Sequence, residues 1–251
     1  MPFECPGSKN LRQPKPEYVK CASCGQEVEI WTDEVKTACL NCKAVVMRQD
    51  QTSCLEWCKY AKECVGEAAY NNFLKNKSIL MKDSLLKELE AYFGSDAKRV
   101  NHARKVMGFA EELLKREKGD WHIVIPAGIL HDVGIKVSEA KYGSSAGHYQ
   151  EKEGPAIARE ILAKLDFKKE DIGEICEIIA HHHSPGKVNT TNFKILYDAD
   201  WLVNLKDEVD LKDKAKVKAV IDKVFLTDSG RALAKNIYLL SPPCMRGGEA
   251  L

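Results

Sequence analysis

Eight of the ten cysteines lie in the first 64 residues, and this crowding limits what that segment can fold into more than any other feature. Two Cys-x2-Cys pairs, Cys21/Cys24 and Cys39/Cys42, are 14 residues apart, just short of the spacing of about 15–20 that is usual for zinc ribbons. A short β-like run follows each pair, EVEIWT and then AVVM. Because two thiolate turns can enclose one tetrahedral ion, the pattern predicts a structural zinc site in a small β module.

Four more cysteines surround this module, namely Cys5, Cys54, Cys58 and Cys64. Cys54 and Cys58 are spaced so that they share one face of a helix. Clustered thiols in a cytosolic chain indicate metal binding rather than disulfides, so a second site for zinc or an iron–sulfur cluster is one interpretation. The other is that some of them are buried thiols that pack as small apolar groups.

From about residue 75 the pattern changes to that of amphipathic helices. Apolar residues recur at helical spacing up to Gly94, and Ser95 or Asp96 can cap the helix that follows. The stretch WHIVIPAGILHD is apolar on nearly all sides, which predicts a central, buried helix. We therefore expect a mainly α chain with a Cys-rich module at 1–75 and an all-α domain at 76–251.

The overall composition excludes few classes of function. The formal net charge of the 251 residues is +1, so bulk electrostatics does not favour binding to nucleic acid or to a membrane surface. No apolar run approaches the roughly 20 residues of a spanning helix, and the start of the chain lacks the apolar core of a signal peptide. These features indicate a cytoplasmic protein.

Four polar residues interrupt the apolar helices at three places. His131 and Asp132 end the buried run AGILHDVGI, where an ion off the helix axis can be reached by both, and Gly134 is expected to let the chain turn away. His102 lies in an apolar stripe, where a lone histidine is more often a core residue than a ligand. Asp200 shares a face with Val203, and an inward carboxylate needs a partner. Together these four suit a divalent ion such as manganese, iron or zinc.

This ordered set resembles the HD-domain superfamily of metal-dependent phosphohydrolases. ILHDVGI is similar to the HDIG signature, and ADWLVN resembles the corresponding helix of members that hydrolyse guanosine tetraphosphate. The resemblance covers roughly residues 80 to 205 and implies a helical bundle that holds one or two divalent ions (Mn, Fe, Zn or Mg). It implies His102, His131, Asp132 and Asp200 as metal ligands. It also implies hydrolysis of phosphate esters, often of nucleotides, by a metal-bound hydroxide.

Two features depart from the family pattern at the phosphate side of the site. Members with a lysine directly after the HD-x-G motif use it near the phosphate, whereas here Ile135 takes that place and Lys136 follows. Two-metal members carry a further histidine about four residues before a glycine, and before Gly154 that place is Gln150, next to Glu151. We expect Lys136 to be a candidate phosphate ligand and Glu151 a candidate base or ligand to a second ion.

The run AHHHSPG resembles the paired histidines of two-metal members. Helical spacing from Ile175 and Ile179 puts His182 on the inward face, with His181 or His183 as its neighbour. We take His181 and His182 as candidate ligands and His182 also as a group that orients phosphate. The alternative is a solvated helix end, where histidines are favoured by the helix dipole.

The function expected from these residues is hydrolysis of a nucleotide or other small phosphate ester, with Asp132 at the centre of the metal site. Two alternatives stay open. One is a di-iron oxygenase on the same helical scaffold. The other is a ligand-sensing module whose ribbon binds nucleic acid or protein, although the segment 17–48 carries no strong basic stripe. The sequence does not indicate the substrate, the native metal or the oligomeric state.

Overall fold

The computed structural model describes residues 13–32, 34, 36–47 and 60–240 of the chain. It divides into two compact units, Met1–Met81 and Lys82–Leu251. Among the described residues, no helix combines the length and the apolar character that crossing a membrane requires. The mainly helical fold with a small Cys-rich β module is as the sequence predicted, whereas the boundary expected at 75/76 stays a prediction.

The β module consists of two antiparallel hairpins. Strand β1 (Pro16–Lys20) pairs with β2 (Glu27–Trp31), and β3 (Lys36–Ala38) pairs with β4 (Val45–Met47). The runs EVEIWT and AVVM form β2 and β4, as expected. Cys21, Val28, Cys39 and Val46 make up its small buried cluster.

Every described element beyond β4 is helical. Three helices precede the central one: α1 (Ala61–Val65), α2 (Glu67–Phe93) and α3 (Ala97–Leu114). The others are α4 (Trp121–Leu130), α5 (Gly134–Tyr142), α6 (Gly147–Lys164), α7 (Lys169–Ile179), α8 (Thr191–Glu208), α9 (Lys214–Val224) and α10 (Asp228–Lys235), and a π-helical turn, Asn236–Leu240, follows.

Helix α4 is the centre of the second unit. Every residue from Ile123 to Leu130 is buried, and the helix packs against α3, α7 and α8. The Asp120 carboxylate accepts the His122 backbone N–H at 2.8 Å and so caps the helix start. Asp96 caps α3 in the same way, as its sequence position suggested. The predicted buried helix is therefore confirmed, and it lies packed among three other helices.

A buried carboxylate connects α8 to the start of α10. Asp198 is completely buried and accepts the backbone N–H groups of Leu226 and Thr227 at 2.8 Å each and the Thr227 hydroxyl at 2.7 Å. Burial raises the pKa of Asp198 to about 6 even though these donors lower it. A Cβ added at Gly230 would lie 2.2 Å from the Asp198 carboxylate, so a glycine is needed there. This contact fixes the helix that also carries Asp200.

Candidate metal centre

His131 and Asp132 lie in a tight turn between α4 and α5. The Val133 N–H donates to the Leu130 carbonyl at 3.1 Å, and α5 begins at Gly134. The turn brings the His131 Nε2 atom within 3.4 Å of the Asp132 Oδ2 atom, although adjacent residues of a regular helix point about 100° apart. Both side chains therefore reach the same place.

Gly134 has a different role from the one expected of a helix-ending glycine. It is the first residue of α5, and it is not among the glycines with positive φ. A Cβ at this position would lie 2.4 Å from the Gln150 carbonyl oxygen and 2.9 Å from the Gly154 nitrogen. The prediction that Gly134 frees the chain to turn away is wrong, because the glycine is needed where α5 and α6 touch backbone to backbone.

Three side chains, from α3, from the turn between α4 and α5, and from α8, form the first ligand group. The His102 Nε2 atom lies 3.2 Å from the His131 Nε2 atom and 3.0 Å from the Asp200 Oδ1 atom. The distance from His131 Nε2 to Asp200 Oδ1 is 3.6 Å. Donor atoms that share an ion at about 2.1 Å lie about 3.0–3.4 Å apart in octahedral or tetrahedral geometry. The observed separations therefore fit a single divalent ion.

Neighbouring groups orient the members of this first group. The His131 Nδ1–H donates to the Gly128 carbonyl at 2.9 Å, which leaves the Nε2 lone pair for a metal. Asn204 donates its amide to Asp200 Oδ1 at 2.8 Å. Burial opposes the charged form of His131, but Asp132 and Asp200 outweigh it and raise the pKa of this imidazole well above its usual value. A cation is thus strongly favoured between these carboxylates.

A second ligand group consists of Asp132, His182 and His183, whose donor atoms lie within 4.8 Å of one another. The His182 Nδ1–H donates to the Ile179 carbonyl at 2.7 Å. Its Nε2 atom is buried and has no hydrogen-bond partner among the described residues. A buried acceptor without a partner is costly, and a metal ion would satisfy it. The residues present therefore fit a second ion.

Asp132 lies between the two groups. Its Oδ2 atom is 3.4 Å from His131 Nε2 and 3.6 Å from His102 Nε2, whereas its Oδ1 atom is 3.7 Å from His182 Nε2. Burial raises the pKa of Asp132, but His131 and His182 outweigh it and hold this pKa well below its usual range. One ionised carboxylate thus presents a different oxygen to each group.

The structure places the remaining predicted residues around this centre. His181 is not part of either ligand group, and His183 takes the place beside His182. Glu151 accepts the His183 backbone N–H and the Ser184 hydroxyl at 2.9 Å each, so both carboxylate oxygens hold the segment after α7. Lys136 donates to the Tyr92 carbonyl at 2.6 Å and lies over the Tyr92 ring. A role of Glu151 as base and of Lys136 as phosphate ligand stays a prediction.

Two contributors to the site had only weak signals in the sequence. Asn204 follows Asp200 by one helical turn, and this spacing is the signal that could have assigned it to the Asp200 carboxylate. His183 was open as an alternative to His181. The choice between them depends on the turn after α7, where helical periodicity ends.

The four cysteines of the β module form a separate metal-binding group. The Sγ atoms of Cys21 and Cys42 are 3.6 Å apart, as are those of Cys24 and Cys39. A tetrahedral ion with Zn–S bonds of about 2.3 Å separates its sulfurs by about 3.8 Å. The backbone N–H groups of Cys42 and Asn41 lower the pKa of Cys39 to about 7, which favours the thiolate that a metal binds. The geometry fits the predicted zinc ribbon.

The predicted second cysteine site lies outside the described residues. This applies to Cys5, Cys54 and Cys58 and to the side chain of Cys64.

Histidines and carboxylates gathered between buried helices give this unit two groups of side chains that can hold metal ions. Residues 99–205 match the family model of the HD domain, and they include both ligand groups. The resemblance to the HD domain that the sequence indicated is thus confirmed for this part of the chain, and it supports a metal-dependent hydrolase in general.

Two other comparisons accompany this match. The crystal structure of a predicted HD superfamily hydrolase from an uncultured Thermotogales bacterium is 28% identical to the chain, with a TM-score of 0.47. The match covers 61% of this chain and 83% of the other. No curated protein matches the chain.

Proposed function

We propose that the chain is a phosphohydrolase that uses two divalent ions to hydrolyse a nucleotide or another small phosphate ester. The observation that carries the proposal is Asp132, whose two oxygens lie toward two different groups of ligands. Two adjacent divalent ions are a recurrent device for in-line displacement at phosphorus, and Asp132 would offer one oxygen toward each. When bound, such an ion lowers the pKa of a coordinated water from 15.7 towards about 7 and offsets negative charge on phosphoryl oxygens.

Different residues of the chain bind each ion and orient its ligands in this proposal. His102, His131 and Asp200 would hold one ion, and His182 and His183 would hold the other, with Asp132 between them. The Gly128 and Ile179 carbonyls keep His131 and His182 in the tautomer whose Nε2 lone pair is free. These contacts preorganise the ligands, so little reorganisation is needed when a substrate arrives.

Lys136 and Glu151 both have partners within the protein that compete with a phosphate. Lys136 can act on substrate only if it leaves the Tyr92 carbonyl, and Glu151 only if it releases Ser184 and the His183 backbone. We therefore assign the phosphate chiefly to the metal centre, with His182 beside it. In this proposal the cysteine module is a structural zinc ribbon.

The test is phosphate release from a panel of nucleotides and small phosphate esters, with manganese, iron, zinc or magnesium supplied separately to protein purified without oxygen. Asp132→Asn and Asp200→Asn should abolish release. Asp207→Asn, at an exposed carboxylate two turns along α8 from Asp200, is the matched control and should retain it. Release that persists in Asp132→Asn would contradict the proposal.

The di-iron oxygenase is the second candidate, because two adjacent ligand groups are also what such an enzyme requires. Oxygen uptake measured on the iron-loaded protein separates the two activities. Uptake that is lost in Asp132→Asn, with no phosphate release from any ester, would favour the oxygenase.

A further inference from the structure

Gln150 is a buried amide on α6 whose orientation is set by its neighbours. Its side-chain nitrogen donates to the Ser145 carbonyl at 2.5 Å. A carbonyl oxygen can only accept, so the nitrogen of the amide must be on that side. The other end, Oε1, then faces the His183 Nε2 atom at 3.3 Å.

This contact determines which nitrogen of His183 carries the proton. An amide oxygen accepts and cannot donate, so Nε2 of His183 must be the protonated nitrogen and Nδ1 keeps the lone pair. His131 and His182 are in the opposite state, because their Nδ1–H groups donate to the Gly128 and Ile179 carbonyls. One histidine of the centre thus differs in tautomer from two of its neighbours.

The first two turns of α6 also hold His183 in place. A Cβ added at Gly147 would lie 2.7 Å from the His183 ring, so the helix start lies directly against the imidazole. Glu151, one residue after Gln150, accepts the His183 backbone N–H. On its other side the His183 ring packs on His182, with ring centroids 4.0 Å apart. These contacts hold the ring on two sides, while His183 as a whole is exposed to solvent.

We propose that Gln150 is a positioning residue that fixes His183 in the Nε2–H tautomer, so that His183 binds metal through Nδ1. The inference rests on the second ion of the proposed function. Partners of metal-ligating histidines typically change metal affinity by about 10–100-fold when they are removed. Gln150 acts in this way through His183 and does not itself bind the ion.

The first test detects the tautomer itself, without metal or substrate. Long-range ¹H–¹⁵N correlation spectra of metal-free protein, recorded where imidazoles are neutral, distinguish Nδ1–H from Nε2–H. His183 should show Nε2–H, whereas His182 should show Nδ1–H. In Gln150→Leu the His183 preference should be lost, and in Gln150→Glu, which keeps an acceptor, it should persist. An Nδ1–H tautomer at His183 in the native protein would overturn the proposal.

The second test counts metal ions and their affinities by titration with manganese. Gln150→Leu should weaken the second ion by about 10–100-fold and leave the first unchanged, with Gln150→Glu closer to native. Gly147→Ala should weaken the second ion too, whereas Gly173→Ala, whose added Cβ meets nothing within 4 Å, should not. Equal second-ion affinity in Gln150→Leu and native protein would refute the role of Gln150.

The outcomes separate this inference from the proposed function. A native protein that releases phosphate with only one ion bound keeps the hydrolase activity and overturns the inference. A native protein that binds two ions, loses one in Gln150→Leu and hydrolyses no ester supports the inference and counts against the phosphohydrolase.

Discussion

Replacement of Gly134 by alanine tests how closely the metal-binding turn is packed against α6. The added Cβ would meet the Gln150 carbonyl oxygen at 2.4 Å and the Gly154 nitrogen at 2.9 Å, and both are backbone atoms. Contacts between heavy atoms are optimal at about 3.5 Å, so α5 and α6 must separate by about 1 Å. Overpacking of this kind costs about 1–3 kcal/mol, and backbone walls place Gly134→Ala at the upper end.

The expected result is a fall in thermal stability of the helical unit. In a domain of this size, each kcal/mol lost from the free energy of unfolding lowers the thermal midpoint by about 2–4 °C. A loss of about 3 kcal/mol should therefore lower the midpoint by about 6–12 °C. Far-UV circular dichroism of metal-free protein measures it. The control is Gly108→Ala on α3, where the added Cβ meets nothing within 4 Å and alanine should stabilise the helix by up to about 1 kcal/mol. A Gly134→Ala midpoint equal to that of the native protein would refute the close-packing argument.

Three other substitutions test separate parts of the structure. Asn204→Leu removes the amide that donates to Asp200 and should weaken the first metal ion by about 10–100-fold in a manganese titration. Asp198→Ala leaves the donors around Thr227 without their acceptor and should lower the free energy of unfolding in urea by about 1–3 kcal/mol for each donor left unsatisfied. Cys39→Ser should remove one zinc ion per chain from the β module, as measured by elemental analysis, and leave the metal content of the helical unit unchanged.

For each of these three substitutions, one result would contradict the argument behind the prediction. Native manganese affinity in Asn204→Leu would mean that the amide does not orient its carboxylate. Native stability of Asp198→Ala would mean that water replaces the lost acceptor. Unchanged zinc content in Cys39→Ser would exclude the four-cysteine site.

The first ligand group, and Asp132 next to it, could be predicted from the sequence because each of these residues stands out within its own segment. His131 and Asp132 are adjacent to each other at the end of an apolar run, and His102 and Asp200 are polar residues on apolar faces. Their placement requires only that each helix bury its apolar side. Imidazole and carboxylate groups are ligands for divalent metal ions, so these inward polar residues together predict a metal site.

The second ligand group depends on contacts that helical periodicity does not encode. The choice of His183 over His181 depends on the turn after α7 and on the packing of Gly147 against the imidazole ring. The roles of Gln150 and Glu151 come from α6, more than 30 residues away along the chain. Such long-range contacts exist only when the helices have packed.

By itself, the sequence predicted the helical class, the ribbon cysteines and the candidate ligands His102, His131, Asp132 and Asp200, because spacing, burial preference and short motifs are properties of short segments. Only the tertiary structure places Asp132 between two groups of candidate ligands, packs Gly134 against α6, and brings Gln150 to the His183 ring. The physical reason is the distance along the chain over which each kind of contact acts. Helical periodicity extends over a few turns, whereas hydrogen bonds between separate helices depend on distances that only the packed chain defines.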